Sequence, residues 1–440
     1  MTATSAAASA FAARARRLIE TEANVFWLDA GPRATRGVSY LGTGSRVLTV
    51  AAGRVTLDDE DRGTDALDAI RAGMTTIPAG TAPSPFRFRG GWVGWFSYEY
   101  GGEFVGAPRA EGDLPDAVLI ECDRLWAFDH ADGTLVTILS SDRPAVPPPR
   151  SSSEPPVRPA VTWRHDRSSY LDAIAESQKA IARGDAYQLC LTNEARVTDP
   201  GDPFETYLRL RETNPAPFGG FVRAGGVTIA SCSPEQFLRL DVDGTVTTRP
   251  IKGTRPRGGD AATDDGLAAE LASDEKERAE NLMIVDLMRN DIGRVARLGS
   301  VDVASLFAVE SFSSVHQLVS TVTAELAEGN DALDLLAAAF PAGSMTGAPK
   351  HRAMSILHDL ENGPRGAYSG AFGWIGTDGA LELAMIIRTI VFAHGEARIG
   401  TGGGITALSR PNHEVAETLL KAAPLLAALG LPAELAEGSR

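Results

Sequence analysis

Residues 218–250 read FGGFVRAGGVTIASCSPEQFLRLDVDGTVTTRP. Runs rich in Val, Ile, Thr and Phe follow one another, separated only by Gly-Gly, Ser-Pro and Asp-Gly, which is how short strands joined by tight turns are written. No helical period intervenes, and parallel neighbours need a long crossover between them. The stretch therefore reads as a meander, and the fold as α+β and layered in place of a doubly wound sheet.

The pattern extends in both directions. Upstream, NVFWLDA, RVLTVAAG, GGWVGWFSYEY, DAVLIECDRLWAFD and GTLVTILSS make residues 1–142 a sheet-rich region. RPAVPPPRSSSEPPVRPA follows, whose prolines feed neither a ladder nor a helix, so 143–162 is expected to be an exposed linker or long loop. Beyond it, helices are expected at 167–183, 202–213, 330–340 and 348–361, with strands at AYQLCLTNEARV, AYSGAFGWIG, LELAMIIRTIVFA and EARIGTGGGIT. SDEKERAENLMIVDLMRND reads as a helix capped by Asp274 with Glu277 three residues on, and a last helix runs from Asn412 to Leu429. The Ala- and Arg-rich start reads as a first helix, because it lacks the apolar core of a secretory signal.

The 440 residues are 43% hydrophobic and 22% charged, enough for one large or two medium cores. A formal net charge of -15 argues against a nucleic-acid or anionic-membrane partner, each of which needs a basic face. No stretch is apolar for the length of a membrane span. Cys122, Cys190 and Cys232 show no CxxC spacing, so neither a zinc site nor a disulfide framework is indicated. Buried thiols in a reducing cytoplasm are expected.

The strongest chemical pattern is a pair of E-x-x-E steps, Glu277 with Glu280 and Glu414 with Glu417. Each step puts two carboxylates on one helical face, which alone reads equally as a solvated acidic surface. Were the two faces to converge, the carboxylates would repel unless protonated or bridged by a hard cation such as Mg²⁺. NHEVAE has Glu417 where a zinc hydrolase helix needs its second His, GSMTGAPK fails the phosphate-loop spacing, and GTGGGI has Ile405 where a dinucleotide loop needs glycine. The glycines of GTGGGITALSRP suit close approach of a ligand to backbone N–H groups, or a flexible turn. Glu235 in SCSPE follows a strand and a proline, at a pocket rim or on the surface. Lys252 lies in a turn punctuated by Pro250 and Gly253; it is a solvated charge, an anion clamp, or a nucleophile if desolvation frees its amine.

In order along residues 170–426, GDAYQLCLTN, NPAPFGGF, SCSPEQFL, RPIKGTRPRG, AENLMIVDLMRNDIGRV, VHQLVSTV, PAGSMTGAPKHRAM, YSGAFGWIG, AMIIRT and GGGITALSRPNHEVAETLLKA resemble the chorismate-utilising enzymes. FRGGWVGWFSYEYG resembles their amino-terminal region more loosely. The resemblance implies an anthranilate synthase component I-like α+β fold, a sandwich of two antiparallel sheets flanked by helices with the active site between them. It makes 163–430 a chorismate-binding catalytic domain and 431–440 a C-terminal tail. It implies that Glu280 and Glu417 ligate Mg²⁺ with Glu277 and Glu414 in support, and that Arg388 and Tyr368 hold the enolpyruvyl carboxylate. Gly253, Thr254, His316, Ser344, Gly402, Gly403, Gly404 and Lys421 would complete the pocket.

Members that form isochorismate or salicylate carry a lysine base where this chain has Gln188, and those that form anthranilate usually have alanine where it has Lys252. The combination resembles the aminodeoxychorismate-forming branch, on the way to 4-aminobenzoate and folate. That implies attack of Lys252 on ring C2 while Glu235, with a raised pKa, protonates the departing C4 hydroxyl; ammonia then adds at C4 and expels the lysine. Ammonia is expected from a separate glutamine amidotransferase subunit, since no cysteine here sits in a glycine-rich elbow, and pyruvate release would need a second enzyme. Two alternatives are anthranilate formation by amination at C2 with loss of pyruvate, and a non-catalytic chorismate-binding protein. FWLDA departs from the Leu-Leu-Glu-Ser pattern of tryptophan-inhibited members.

Overall fold

A computed structural model describes residues 3–75, 86–144, 146–148, 159–312 and 315–432. Parts of two expected segments, 145 and 149–158 of the Pro/Ser-rich stretch and 433–440 of the tail, lie outside the described residues. The opening stretch is a meander, and it changes sheets halfway. Phe218–Ala224 and Val227–Ser233 pair near the middle of an 11-stranded sheet, whereas Gln236–Leu240 and Thr245–Thr248 belong to a 12-stranded one. The chain crosses between them at Pro234 and Glu235. Every strand pair described in both sheets is antiparallel.

The two sheets pack face to face as a sandwich. Their shared core holds Phe26, Val222 and Ile229 from the first sheet with Trp95, Val118 and Phe372 from the second. Burial of such side chains, about 1.5–3 kcal/mol each, is what holds sheet to sheet. Strands from the first third of the chain join both layers: Val25–Asp29 pairs with Phe218–Ala224, and Gly91–Phe96 with Ala371–Gly376. Helices Arg167–Ala182, Lys350–Glu361 and Pro411–Ala428 cover the first sheet, and Ala261–Ser273 and Glu275–Gly293 cover the end of the second.

Three readings of the sequence change. LELAMIIRTIVFA reads as one strand but is two, Leu381–Met385 in the 12-stranded sheet and Thr389–Ala393 in the 11-stranded one, with Ile386 to Arg388 crossing between. An unbroken apolar run carries no mark of where it changes partner. GGWVGWFSYEY is strand only to Phe96; Ser97 then caps a helix, Tyr98–Val105, its hydroxyl accepting from Tyr100 N at 3.1 Å. The Lys252 turn is a strand, Ile251–Pro256, paired with Val315–Glu325. Gly253, at φ +76, makes a bulge in it instead of ending it.

Cys122, Cys190 and Cys232 are unpaired and buried. No described helix is long and apolar enough to cross a membrane.

Candidate active site

The two crossings between sheets lie side by side. Met385 N donates to Glu235 O and Cys232 N to Arg388 O, both at 3.1 Å. Each crossing carries a titratable residue, Glu235 on one and Arg388 on the other. Glu235 is 7% exposed, and its Oε1 accepts from Ser344 Oγ at 3.0 Å. Burial pushes its carboxyl up to about 7, against the pull of the Ser344 hydrogen bond and the Lys252 charge. Arg388 adopts φ +52, a conformation that costs a non-glycine residue energy and persists where the surroundings enforce it. Burial lowers the Arg388 pKa, and the nearby charges that oppose this are Tyr368 and Glu417. Tyr368 is buried against Gly400, where a Cβ would stand 2.0 Å from Tyr368 Cγ.

The bulge at Gly253 turns Lys252 inward. Its side chain is 14% exposed, with Nζ 3.9 Å from Glu280 Oε2. Burial disfavours the ammonium, but Glu280 foremost, then Glu235 and Glu417, outweigh it and hold the pKa above the ordinary lysine value. A Cβ on Gly253 would meet Leu271 Cδ1 at 2.7 Å and Glu277 at 3.1 Å, so glycine is required there twice over. Thr254, the next residue, is exposed. His316 is buried in the neighbouring strand, with Nε2 2.9 Å from Asp264 Oδ1 and Nδ1 2.8 Å from Ser311 Oγ.

Two helices bring the acidic steps to the cleft. Asp274 caps Glu275–Gly293 by accepting from Glu277 N at 3.1 Å, which leaves Glu277 and Glu280 on the first turns. Glu277 leans toward Arg255, 3.7 Å away, and burial with the charge of Glu280 raises its pKa. Glu280 is 3.7 Å and Glu414 3.8 Å from a shared cation, Lys276 Nζ. On Pro411–Ala428, burial raises Glu414; at Glu417 burial acts the same way, but Lys421 at 2.7 Å outweighs it and lowers the pKa. Lys421 Nζ also donates to Gly402 O at 2.8 Å. Among the described residues no group of three or more acid, His or Cys side chains is drawn together tightly enough to hold a metal as it stands.

Gly402, Gly403 and Gly404 lie inside the strand Glu396–Ile405, paired with Thr192, Leu191 and Cys190. Their absent side chains shape the cleft. A Cβ on Gly404 would meet Gln188 Nε2 at 2.0 Å, and one on Gly403 would stand 3.4 Å from Glu414 Oε2 and 3.8 Å from Glu417 Oε1.

Sequence reasoning missed Arg365 and Lys276. Arg365 is buried with all five N–H groups placed: on Glu361 Oε1 and Oε2, the carbonyls of Met345 and Cys190, and Ser369 Oγ, at 2.6–3.3 Å. It stacks 4.1 Å from the Tyr98 ring centroid, and its backbone N donates to Glu99 at 2.7 Å. One guanidinium thus fixes the turn carrying Ser344, the strand beside the glycines and the turn carrying Tyr368. A single arginine in GPRGAYSG has no period to betray this, and Lys276 is hidden in a run of charges.

The sequence matches the family described as chorismate binding enzyme over residues 23–427. It is 42% identical to an aminodeoxychorismate synthase of Streptomyces griseus over 93% of this chain, and spans 61% of that relative's length. It is 39% identical to the aminodeoxychorismate synthase component 1 of Salmonella typhimurium, over 87% of this chain and 86% of that one. The crystal structure of anthranilate synthase component I from Streptococcus pneumoniae superposes with a TM-score of 0.77 at 29% identity, covering 90% of this chain and 93% of that one.

Proposed function

The chain belongs to the family of chorismate-binding enzymes, and from that premise we propose that it aminates chorismate at ring C4 with ammonia, giving 4-amino-4-deoxychorismate. The observation that carries this reading is Lys252, desolvated in the cleft beside Glu280 and close enough to Glu235 for each charge to shift the other's pKa. The chorismate-handling residues fall within 163–430, the proposed catalytic domain.

Attack of Lys252 Nζ on C2 shifts both ring double bonds and expels the C4 hydroxyl, which takes the Glu235 proton and leaves as water. Ammonia then bonds to C4, the double bonds return, and the C2–N bond breaks to free the lysine. The sum is chorismate plus ammonia to aminodeoxychorismate plus water. Lys252 begins as an ammonium, and the Glu235 carboxyl, pushed up to about 7, is partly ionised near neutral pH. Passing a proton from the ammonium to the ionised carboxylate yields the nucleophilic amine and the protonated acid together.

Arg388 and Tyr368 suit the enolpyruvyl carboxylate, a planar guanidinium matching a planar anion. Ser344, Lys421, Gly253 and Gly402 to Gly404 border the remaining space; Thr254 and His316 support the pocket less directly. Mg²⁺ is the proposed cofactor. Carboxylates are the hard oxygen donors it takes, Lys276 stands in for a cation between two of them, and Gly403 leaves the space beside Glu414 and Glu417 open, so these residues fit it. Glu280 and Glu417 would hold the ion with Glu277 and Glu414 in support, and when bound it supplies positive charge for the ring carboxylate. A separate glutamine amidotransferase subunit is the proposed ammonia source, and residence in a reducing cytoplasm suits the three free thiols.

The test is direct. The purified chain with Mg²⁺, chorismate and an ammonium salt makes 4-amino-4-deoxychorismate without glutamine, and Lys252→Ala abolishes it. Anthranilate as the main product, read by its fluorescence, would instead establish amination at C2. Equal activity in Lys252→Ala rejects the covalent route.

A further inference from the structure

The carboxylate-bearing helices rest on different layers. Glu275–Gly293 packs on Ile251–Pro256 and Val315–Glu325 of the 12-stranded sheet, and Pro411–Ala428 on Glu396–Ile405 of the 11-stranded one. Among the described residues, the ion pair that joins the two helices is Lys276 with Glu414, at 3.8 Å. The same Nζ is 3.7 Å from Glu280 of its own helix, an i,i+4 pair. The lysine side chain is 44% exposed whereas those of Glu280 and Glu414 are 12% and 5% exposed, so an amine held in solvent reaches in to charges that are not. These separations exceed hydrogen-bond length, which makes the attraction Coulombic and easily undone.

We propose that Lys276 is a tethered cation that bridges Glu280 and Glu414 across the cleft in the metal-free enzyme and is displaced when a divalent cation binds. The proposal rests on reading these carboxylates as a metal site. Facing carboxylates with no cation between them repel, which would part the helices that must meet around the metal. A lysine suits this holding role: it is a compact charge on a flexible stem, able to swing back to water once replaced. An arginine fork would bind the carboxylates too rigidly to yield. Lys252 lies 3.9 Å from Glu280 and also feels Glu417, and Lys421 pairs with Glu417 of its own helix, but among the described residues neither makes an ion pair with Glu414. Metal binding is then an exchange of cations, weaker than the bare carboxylates would give.

Lys276→Met keeps the stem and removes the charge. Three measurements apply to the full chain: Mn²⁺ binding followed by electron paramagnetic resonance, thermal melting without metal, and melting in saturating Mg²⁺. The variant binds Mn²⁺ roughly three- to tenfold tighter, the size of two partly exposed ion pairs. It melts below wild type without metal and level with wild type in Mg²⁺. A double-mutant cycle of Lys276→Met with Glu414→Gln shows coupling in the metal-free protein and none with Mg²⁺ bound. Equal or weaker Mn²⁺ binding in Lys276→Met, or coupling that persists with metal, refutes the tether while leaving the metal site. Failure of both proteins to bind Mn²⁺ removes the metal site and the tether with it.

Discussion

Replacing Ser344 by alanine takes from the Glu235 carboxylate the hydroxyl that donates to Oε1 at 3.0 Å. At 7% exposure, little solvent reaches Glu235 to replace it. A hydrogen bond to a charged group is worth about 1.5–3 kcal/mol, and one pKa unit corresponds to about 1.4 kcal/mol. The carboxyl, already pushed up to about 7 by burial, therefore rises by roughly one to two units more. The direction follows from which form Ser344 stabilises: it donates to the anion, so its loss favours the protonated carboxyl, the form that serves as acid. Because Lys252 must hand a proton to the ionised carboxyl before it attacks, the limb of the pH profile near pH 7 is the acid limb, below which both groups are protonated; it moves upward by that amount, and the rate on its acid side falls. The assay is the rate of the Lys252 adduct, followed by mass spectrometry of the intact chain without ammonia, so that the titration of ammonia itself does not enter. A limb that stays near pH 7, or moves down, refutes the acid role of Glu235 or the part Ser344 plays in tuning it.

Other substitutions separate positioning from packing. Arg365→Met strands the Glu361 carboxylate in the interior and costs about 3–5 kcal/mol, read as a lower melting temperature; adding Glu361→Gln recovers part of the loss. Gly400→Ala sets a methyl 2.0 Å from Tyr368 Cγ, so the ring must move, at about 1–3 kcal/mol in stability and with KM for chorismate rising more than kcat falls. An unchanged KM there would detach Tyr368 from the substrate. His316→Ala breaks the contacts to Asp264 and Ser311, lowers stability by about 1–2 kcal/mol, and leaves KM for chorismate near wild type; a large rise in KM would return His316 to the pocket wall.

The residues differ in how plainly they announce their surroundings. Each strand of 218–250 sits where the turn chemistry around it puts it, and the two E-x-x-E steps are visible because a helix repeats every three to four residues. Pro250 and Gly253 make the Lys252 segment read as a turn, while in the fold the glycine only bulges a strand whose partner, Val315–Glu325, lies far along the chain. Arg388 reads as part of a strand because nothing in LELAMIIRTIVFA records that its two halves pair with different sheets. Local period reports burial and helix or strand type; which sheet a strand joins depends on partners distant in sequence. The residues at a crossing take few of their backbone bonds from either regular ladder, so distant segments hold them, as Met385 holds Glu235 and Cys232 holds Arg388. That is why Glu235 and Arg388 come from the positions the sequence pattern marks least, and why the proposed general acid and anion clamp sit there without disturbing either sheet.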